Sequence, residues 1–169
     1  MKTLIPLLFA SILSACSSTK GIVSETDETN MDGKVVTMYP VTTDCDITEC
    51  TEIGAQWSAS APKDILLIVK RNESLNKVKG AYLNLDGNVV FLTEITNTRS
   101  PSNELLTQPQ PAYISFKTSV DTLKSLVGSE RAWLRVTTDS NYFDDKIKDN
   151  NVRSDAFHSF VRFLKTIES

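Results

Sequence analysis

The chain has 169 residues, 40% hydrophobic and 23% charged, which suits one globular domain with an appendage and excludes collagen-like, coiled-coil and wholly disordered chains. Lys and Arg number 18 against 21 Asp and Glu, so no basic excess is present to neutralise phosphates and no nucleic-acid partner is expected. A single histidine, His158, removes most His-based triads and zinc sites.

Met1 and Lys2 give a short positive start, and Leu4 to Ala15 is an almost unbroken run of apolar and small residues. That run is shorter than the roughly 20 apolar residues a helix needs to span a ~30 Å hydrocarbon core. A charged start followed by such a run is the pattern of a secretory signal. It ends in Leu13-Ser14-Ala15-Cys16, followed by Ser17, Ser18 and Thr19.

These residues resemble the lipobox of bacterial lipoproteins, in which small residues fit the peptidase groove and only a thiolate can form the diacylglyceryl thioether. The resemblance implies cleavage before Cys16, lipidation of its sulfur, and a further acyl chain such as palmitate on the new amino group. Each buried methylene contributes ~0.8 kcal/mol and one chain alone binds only marginally, so three chains anchor effectively permanently. Ser17 follows the cysteine where Asp would signal inner-membrane retention, which favours the outer membrane. The expected location is lipid-anchored and periplasm-facing, with cell-surface exposure as the other orientation.

Residues Ser17 to Gly33 are polar and acidic, with almost no bulky apolar side chains, and cannot build a core. They are expected to tether the domain to the membrane, with a reach of ~20–25 Å as flexible coil. The expected organisation is a signal peptide at 1–15, lipidated cysteine and tether at 16–33, and one globular envelope domain at 34–169.

Beyond Cys16, the chain has only Cys45 and Cys50, spaced C-x4-C. In an oxidising compartment that even remainder points to a disulfide. Closing so short a loop contributes only about 2 kcal/mol, so its purpose is to pin a loop between two strands. Two thiols and one distant histidine make a poor zinc set, and a redox pair would more typically be C-x-x-C before a helix. No metal and no cofactor are expected.

From Lys34 onward, short apolar runs alternate with turn residues, which marks a sheet-rich domain. Val35 to Tyr39 reads as a first strand ending at Pro40, and Ile53 to Ser58, carrying Trp57, as a second. Ile65 to Val69 is apolar at every position and is expected to be central and covered on both sides. Val78 to Leu85 and Asn88 to Ile95 flank Asp86-Gly87, the clearest hairpin signal in the chain. The Pro-punctuated stretch Asn97 to Pro111, about 14 residues, has the length of a functional or mobile loop, though a plain surface connection is the blander account.

Ala112 to Lys117 reads as a strand, followed by a short helix capped by Thr118, with Val120, Leu123, Leu126 and Val127 on its apolar face and Gly128 as its stop. Arg131 to Thr137 alternates, placing Ala132, Leu134 and Val136 on one face and Arg131, Trp133 and Arg135 on the other. Ser154 caps a last helix whose Phe157, Phe160, Val161, Leu164 and Ile167 form an apolar stripe. The expected fold class is therefore α+β: a twisted antiparallel sheet of about six to seven strands, with a short helix and the C-terminal amphipathic helix packed on one face.

No catalytic constellation emerges. His158 falls on the polar side of its helix, away from any nucleophile. Ser60-Ala61-Pro62-Lys63 and Ser17-Ser18-Thr19-Lys20 match Ser-x-x-Lys, but Pro62 disfavours helix in the first and the second lies in the tether. Asp44, Asp46, Glu49 and Glu52, and then Asp139, Asp144, Asp145 and Asp149, lack the Gly and distal Glu of an EF-hand and read as solvated charge.

Arg131, Trp133 and Arg135 stand out as a partner-binding group, since Trp and Arg are enriched at interface hot spots. Burial of Trp133 under a helix, with the Arg stems packed alongside, is the competing account. The leading expectation is a non-enzymatic envelope lipoprotein that binds an envelope protein or a cell-wall component. An inhibitor or immunity protein acting on a wall-degrading or toxic enzyme is the alternative, and a hydrolase with an assembled carboxylate site is the third.

Overall fold

The computed structural model describes residues 23–28, 33–45, 50–71, 78–95, 112–138 and 141–169. The signal segment, Cys16, the loop from Asn97 to Pro111, and the tether apart from Val23–Glu28 and Gly33 lie outside the described residues. The elements are β1 (Val23–Glu28), β2 (Gly33–Thr42), β3 (Glu52–Ser58), β4 (Asp64–Arg71), β5 (Val78–Leu85), β6 (Asn88–Glu94), β7 (Ala112–Ser119), α1 (Val120–Gly128), β8 (Arg131–Thr138), β9 (Tyr142–Asp149), β10 (Val152–Arg153) and α2 (Asp155–Ile167). No helix among the described residues is long and apolar enough to cross a membrane.

The strands form one antiparallel sheet in the order β1-β2-β3-β4-β7-β6-β5-β8-β9-β10. Its two halves meet where Thr93 and Glu94 of β6 pair with Lys117 and Phe116 of β7. The sheet curls so far that Asp44, just past β2, pairs with Lys146 of β9 through reciprocal backbone bonds of 2.8 and 2.7 Å. The Cys45–Cys50 disulfide, with Cα atoms 5.4 Å apart, sits in the connection from β2 to β3 beside this seam, so it pins a loop between two strands as the spacing suggested.

Strand alternation sends every second side chain into the hollow of the curl. Val36 and Met38, Ile53 and Ala55, Ile65 and Leu67, Leu83, Leu134 and Ile147 are buried there. α2 fills the space with Phe157, Phe160 and Phe163, and α1 adds Leu123 and Leu126 to the same core. The Ser154 hydroxyl starts α2 by accepting from the Phe157 N–H at 3.2 Å and donating to the Ile147 carbonyl at 2.8 Å. That cap fixes both the first turn and its docking on β9.

The sequence-based expectations need several corrections. The sheet has ten strands among the described residues, more than the six or seven expected. Val23–Glu28, assigned to the tether, is instead an edge strand paired with Gly33–Met38. Backbone pairing along an open edge needs no apolar side chains, which is why composition misses it. β2 runs through Pro40, with a register shift between Met38 and Val41, and the bulge accommodates a residue that cannot donate to the ladder.

β9 was read as solvated charge, yet Asp145 in its middle is buried. α1 is capped by the Ser119 hydroxyl, which accepts from the Thr122 N–H at 3.1 Å, rather than by Thr118. On α2, Val161 is 40% exposed, and Phe163, absent from the expected stripe, takes the buried place. β4 is central between β3 and β7 as expected, but its outer residues Leu66 and Ile68 are only half-buried. The hairpin holds in detail: Asp86 and Gly87 adopt φ of 52° and 92°, the pair of positive values that a primed two-residue turn requires.

Candidate functional site

Residues that point away from the hollow on β6, β5, β8 and β9 lie side by side on the outer face. Register puts Phe91, Tyr82, Arg135 and Asp144 in one row across these strands. The next row holds Val89, Asn84, Trp133 and Lys146. Tyr142 follows on β9, opposite Thr137. Among the described residues both helices pack on the opposite side of the sheet, and Phe91 remains 79% exposed, Tyr142 54% and Val89 47%. Large apolar groups exposed on a strand face make this the candidate contact surface.

Arg135 organises the centre. Its Nε and Nη2 donate to the two carboxylate oxygens of Asp144, a bidentate pair. Its guanidinium carbon lies 4.1 Å from the Tyr142 ring centroid and 5.7 Å from that of Tyr82. Hydrogen bonding to Asp144 raises the pKa of the guanidinium above its already high ordinary value. The paired guanidinium thus lies against the rings of two tyrosines, Tyr142 more closely than Tyr82.

Trp133 is half-buried, with the Lys146 ammonium 5.5 Å from its ring centroid on the β9 side and Asn84 opposite it on β5. A groove of about 230 Å³ lies there, lined by Asn84, Gly87, Arg131 and Trp133. The turn that walls it is braced from below: the Asp86 carboxylate accepts from the Glu130 and Arg131 N–H groups at 3.0 and 2.7 Å. Those two backbone bonds hold the Asp86 carboxyl below the usual carboxylate range. The Asn84 carbonyl oxygen accepts from the Gly87 N–H at 2.9 Å.

The three residues singled out on alternation thus share one face, with Trp133 between the two arginines, and no described helix covers them. They differ in kind: Arg135 is locked to Asp144, whereas Arg131 is exposed and has no ion-pair partner among the described residues. Phe91, Tyr82 and Tyr142 belong to the same face and were missed. The hairpin carried a usable signal for the first two, since Tyr82 and Phe91 stand four positions either side of the Asp86-Gly87 turn and so face each other, with ring centroids 5.8 Å apart.

A second polar cluster lies inside the curl at the seam. Arg71 and Asp145 are 3% and 1% exposed, and Thr51 sits between them, its hydroxyl 3.5 Å from Arg71 Nη1. The Arg71 guanidinium stacks 3.8 Å from the Phe143 centroid. Burial pushes the Asp145 carboxyl up, against the opposing pull of hydrogen bonds from Thr51 and the charge of Arg71. Thr43 closes the cluster through a hydroxyl bond of 2.8 Å to the Thr51 carbonyl.

The remaining sequence candidates stay apart. His158 is exposed on α2, its ring edge-on to Phe157. Ser60 shares a hydrogen bond with Ser58 in the turn after β3, and no helix places it over Lys63. Among the described residues, no three His, Cys, Asp or Glu side chains are grouped to hold a metal ion. A wider groove of about 530 Å³ between α1 and α2, floored by Val127, Val161 and Leu164, has Lys165, Ser169 and the Lys124–Glu168 ion pair at its polar rim. Comparison with protein-family models, curated proteins and solved structures finds no match to this chain.

Proposed function

We propose that this chain is a membrane-anchored bacterial lipoprotein of the cell envelope, whose domain is a non-enzymatic binding or assembly module. Its working surface is the outer face of β6, β5, β8 and β9, where it takes a protein or cell-wall partner. The observation that carries this reading is the Phe91–Tyr82–Arg135–Tyr142 array, which no described helix covers and which joins aromatic rings to an arginine as binding hot spots do. The anchor rests on the lipobox resemblance at Leu13-Ser14-Ala15-Cys16. An inhibitor of a basic enzyme gains less support, because this face intersperses Arg131, Arg135 and Lys146 with Asp144 and Asp149 and presents no purely acidic patch.

Two measurements test the two halves of the proposal. A Cys16→Ser variant should move from the membrane fraction to the soluble fraction, because it lacks the sulfur that takes the diacylglyceryl group. Fractionation identical to the parent would remove the anchor. A photo-crosslinking residue placed at Val89, 47% exposed, should give envelope adducts, while one at Val161, 40% exposed on α2 on the other side of the sheet, should not. Equal yields from both positions would show that the face has no special role.

A further inference from the structure

Among the side chains that line the groove beside Trp133, the hydrogen-bonding groups without a partner among the described residues are donors. Asn84 spends its carbonyl oxygen on Gly87, and both Asp86 oxygens are committed to backbone N–H groups. The carboxylate of Asp149, opposite Arg131 on β9, accepts from Asn150 at 3.0 Å. What remains without a hydrogen bond among the described residues is the Arg131 guanidinium, which attracts the Asp86 carboxylate only through space, the Asn84 amide N–H groups and the Trp133 indole N–H, beside an aromatic ring. Such a surface asks for an acceptor-rich, negatively charged group with a flat C–H face, which the negative face of the indole attracts.

At about 230 Å³ the groove falls below the ~300–1,000 Å³ of sites that enclose a whole small molecule, so it suits one unit of a longer partner. A lone acidic side chain would use Arg131 and leave the indole idle. A sugar carrying a carboxylate uses both. We infer that the groove formed by Asn84, Gly87, Arg131 and Trp133 holds one carboxylate-bearing sugar unit of a glycan, its ring on the Trp133 indole and its carboxylate on Arg131. The inference rests on the reading of this face as the binding surface and names the partner it takes there.

The two tryptophans provide an internal control. Trp57 donates its indole N–H to the Pro62 carbonyl at 3.0 Å on the other half of the sheet, far in the strand order from β8. In an NMR titration of the full chain with the disaccharide of N-acetylglucosamine and N-acetylmuramic acid, the Trp133 indole N–H signal should shift and that of Trp57 should stay. Chitobiose, which lacks the lactyl carboxylate, should bind about tenfold more weakly, and Arg131→Gln should lose about the same factor toward the acidic disaccharide alone. Arg131 is exposed and unpaired among the described residues, so this variant keeps its fold, and Trp133→Leu serves as the second probe.

Equal binding of the two disaccharides, an unmoved Trp133 signal, or a shift produced by tetraglutamate and not by the sugar would each overturn the inference. In any of those cases, adducts from Val89 would show that the face still binds a partner of another chemistry. Loss of those adducts as well would end the reading of the face itself.

Discussion

Phe160→Ala should lower the free energy of unfolding by about 3–5 kcal/mol, the cost of deleting a buried phenyl ring whose cavity cannot fully collapse. Phe160 is 0% exposed, in the middle of α2 and within the core. Its neighbour in sequence gives the contrast: Val161→Ala, at a position 40% exposed, should change stability by no more than about 0.5 kcal/mol. Urea denaturation of the two variants therefore reports how α2 is rotated. A larger loss at Val161 than at Phe160 would mean that α2 turns Val161 toward the core and Phe160 away from it.

The second large effect belongs to the seam. Arg71→Met should cost about 3–5 kcal/mol at neutral pH, because it leaves the Asp145 carboxylate buried without the one positive charge that faces it among the described residues. The pH dependence has a definite sign. Burial raises the Asp145 pKa in the folded state above its ordinary value of 3.8, so the folded chain holds that proton more tightly than the unfolded chain. Its contribution is fully present below 3.8 and is lost as pH rises through the raised value. Without Arg71 that value climbs further, so the deficit of Arg71→Met should shrink on acidification as Asp145 takes up its proton. A deficit that stays constant with pH would show that the two groups do not interact. Arg71→Met combined with Asp145→Leu should recover much of the loss, since a well-packed apolar pair replaces a buried charged one at little cost.

Much of the fold was legible because local chemistry and global position agreed. Asp86-Gly87 can supply the two positive φ values of a tight turn, Ser154 precedes a helical stripe, and Ala132, Leu134 and Val136 alternate as a half-buried strand must. What escaped was decided by partners distant in sequence. In β9 the inward positions are Phe143, Asp145 and Ile147, and a carboxylate in the middle hides the alternation until Arg71 and Thr51 are seen to meet it. Val161 and Phe163 both fit a helical period, and only the placement of the sheet selects between them. The candidate face was half-read for the same reason: Trp133 and its two arginines lie on a single strand, whereas Phe91 and Tyr142 reach them only through the pairings of β5 with β6 and of β8 with β9.

Trp133 and Arg135 alternate along β8 with Ala132, Leu134 and Val136, which never leave the core. Successive codons thus answer to different masters, one to the stability of the domain and the next to whatever it meets outside. Descendants of this sequence are free to exchange the chemistry of that outer face one position at a time, without reworking the interior that keeps the scaffold standing.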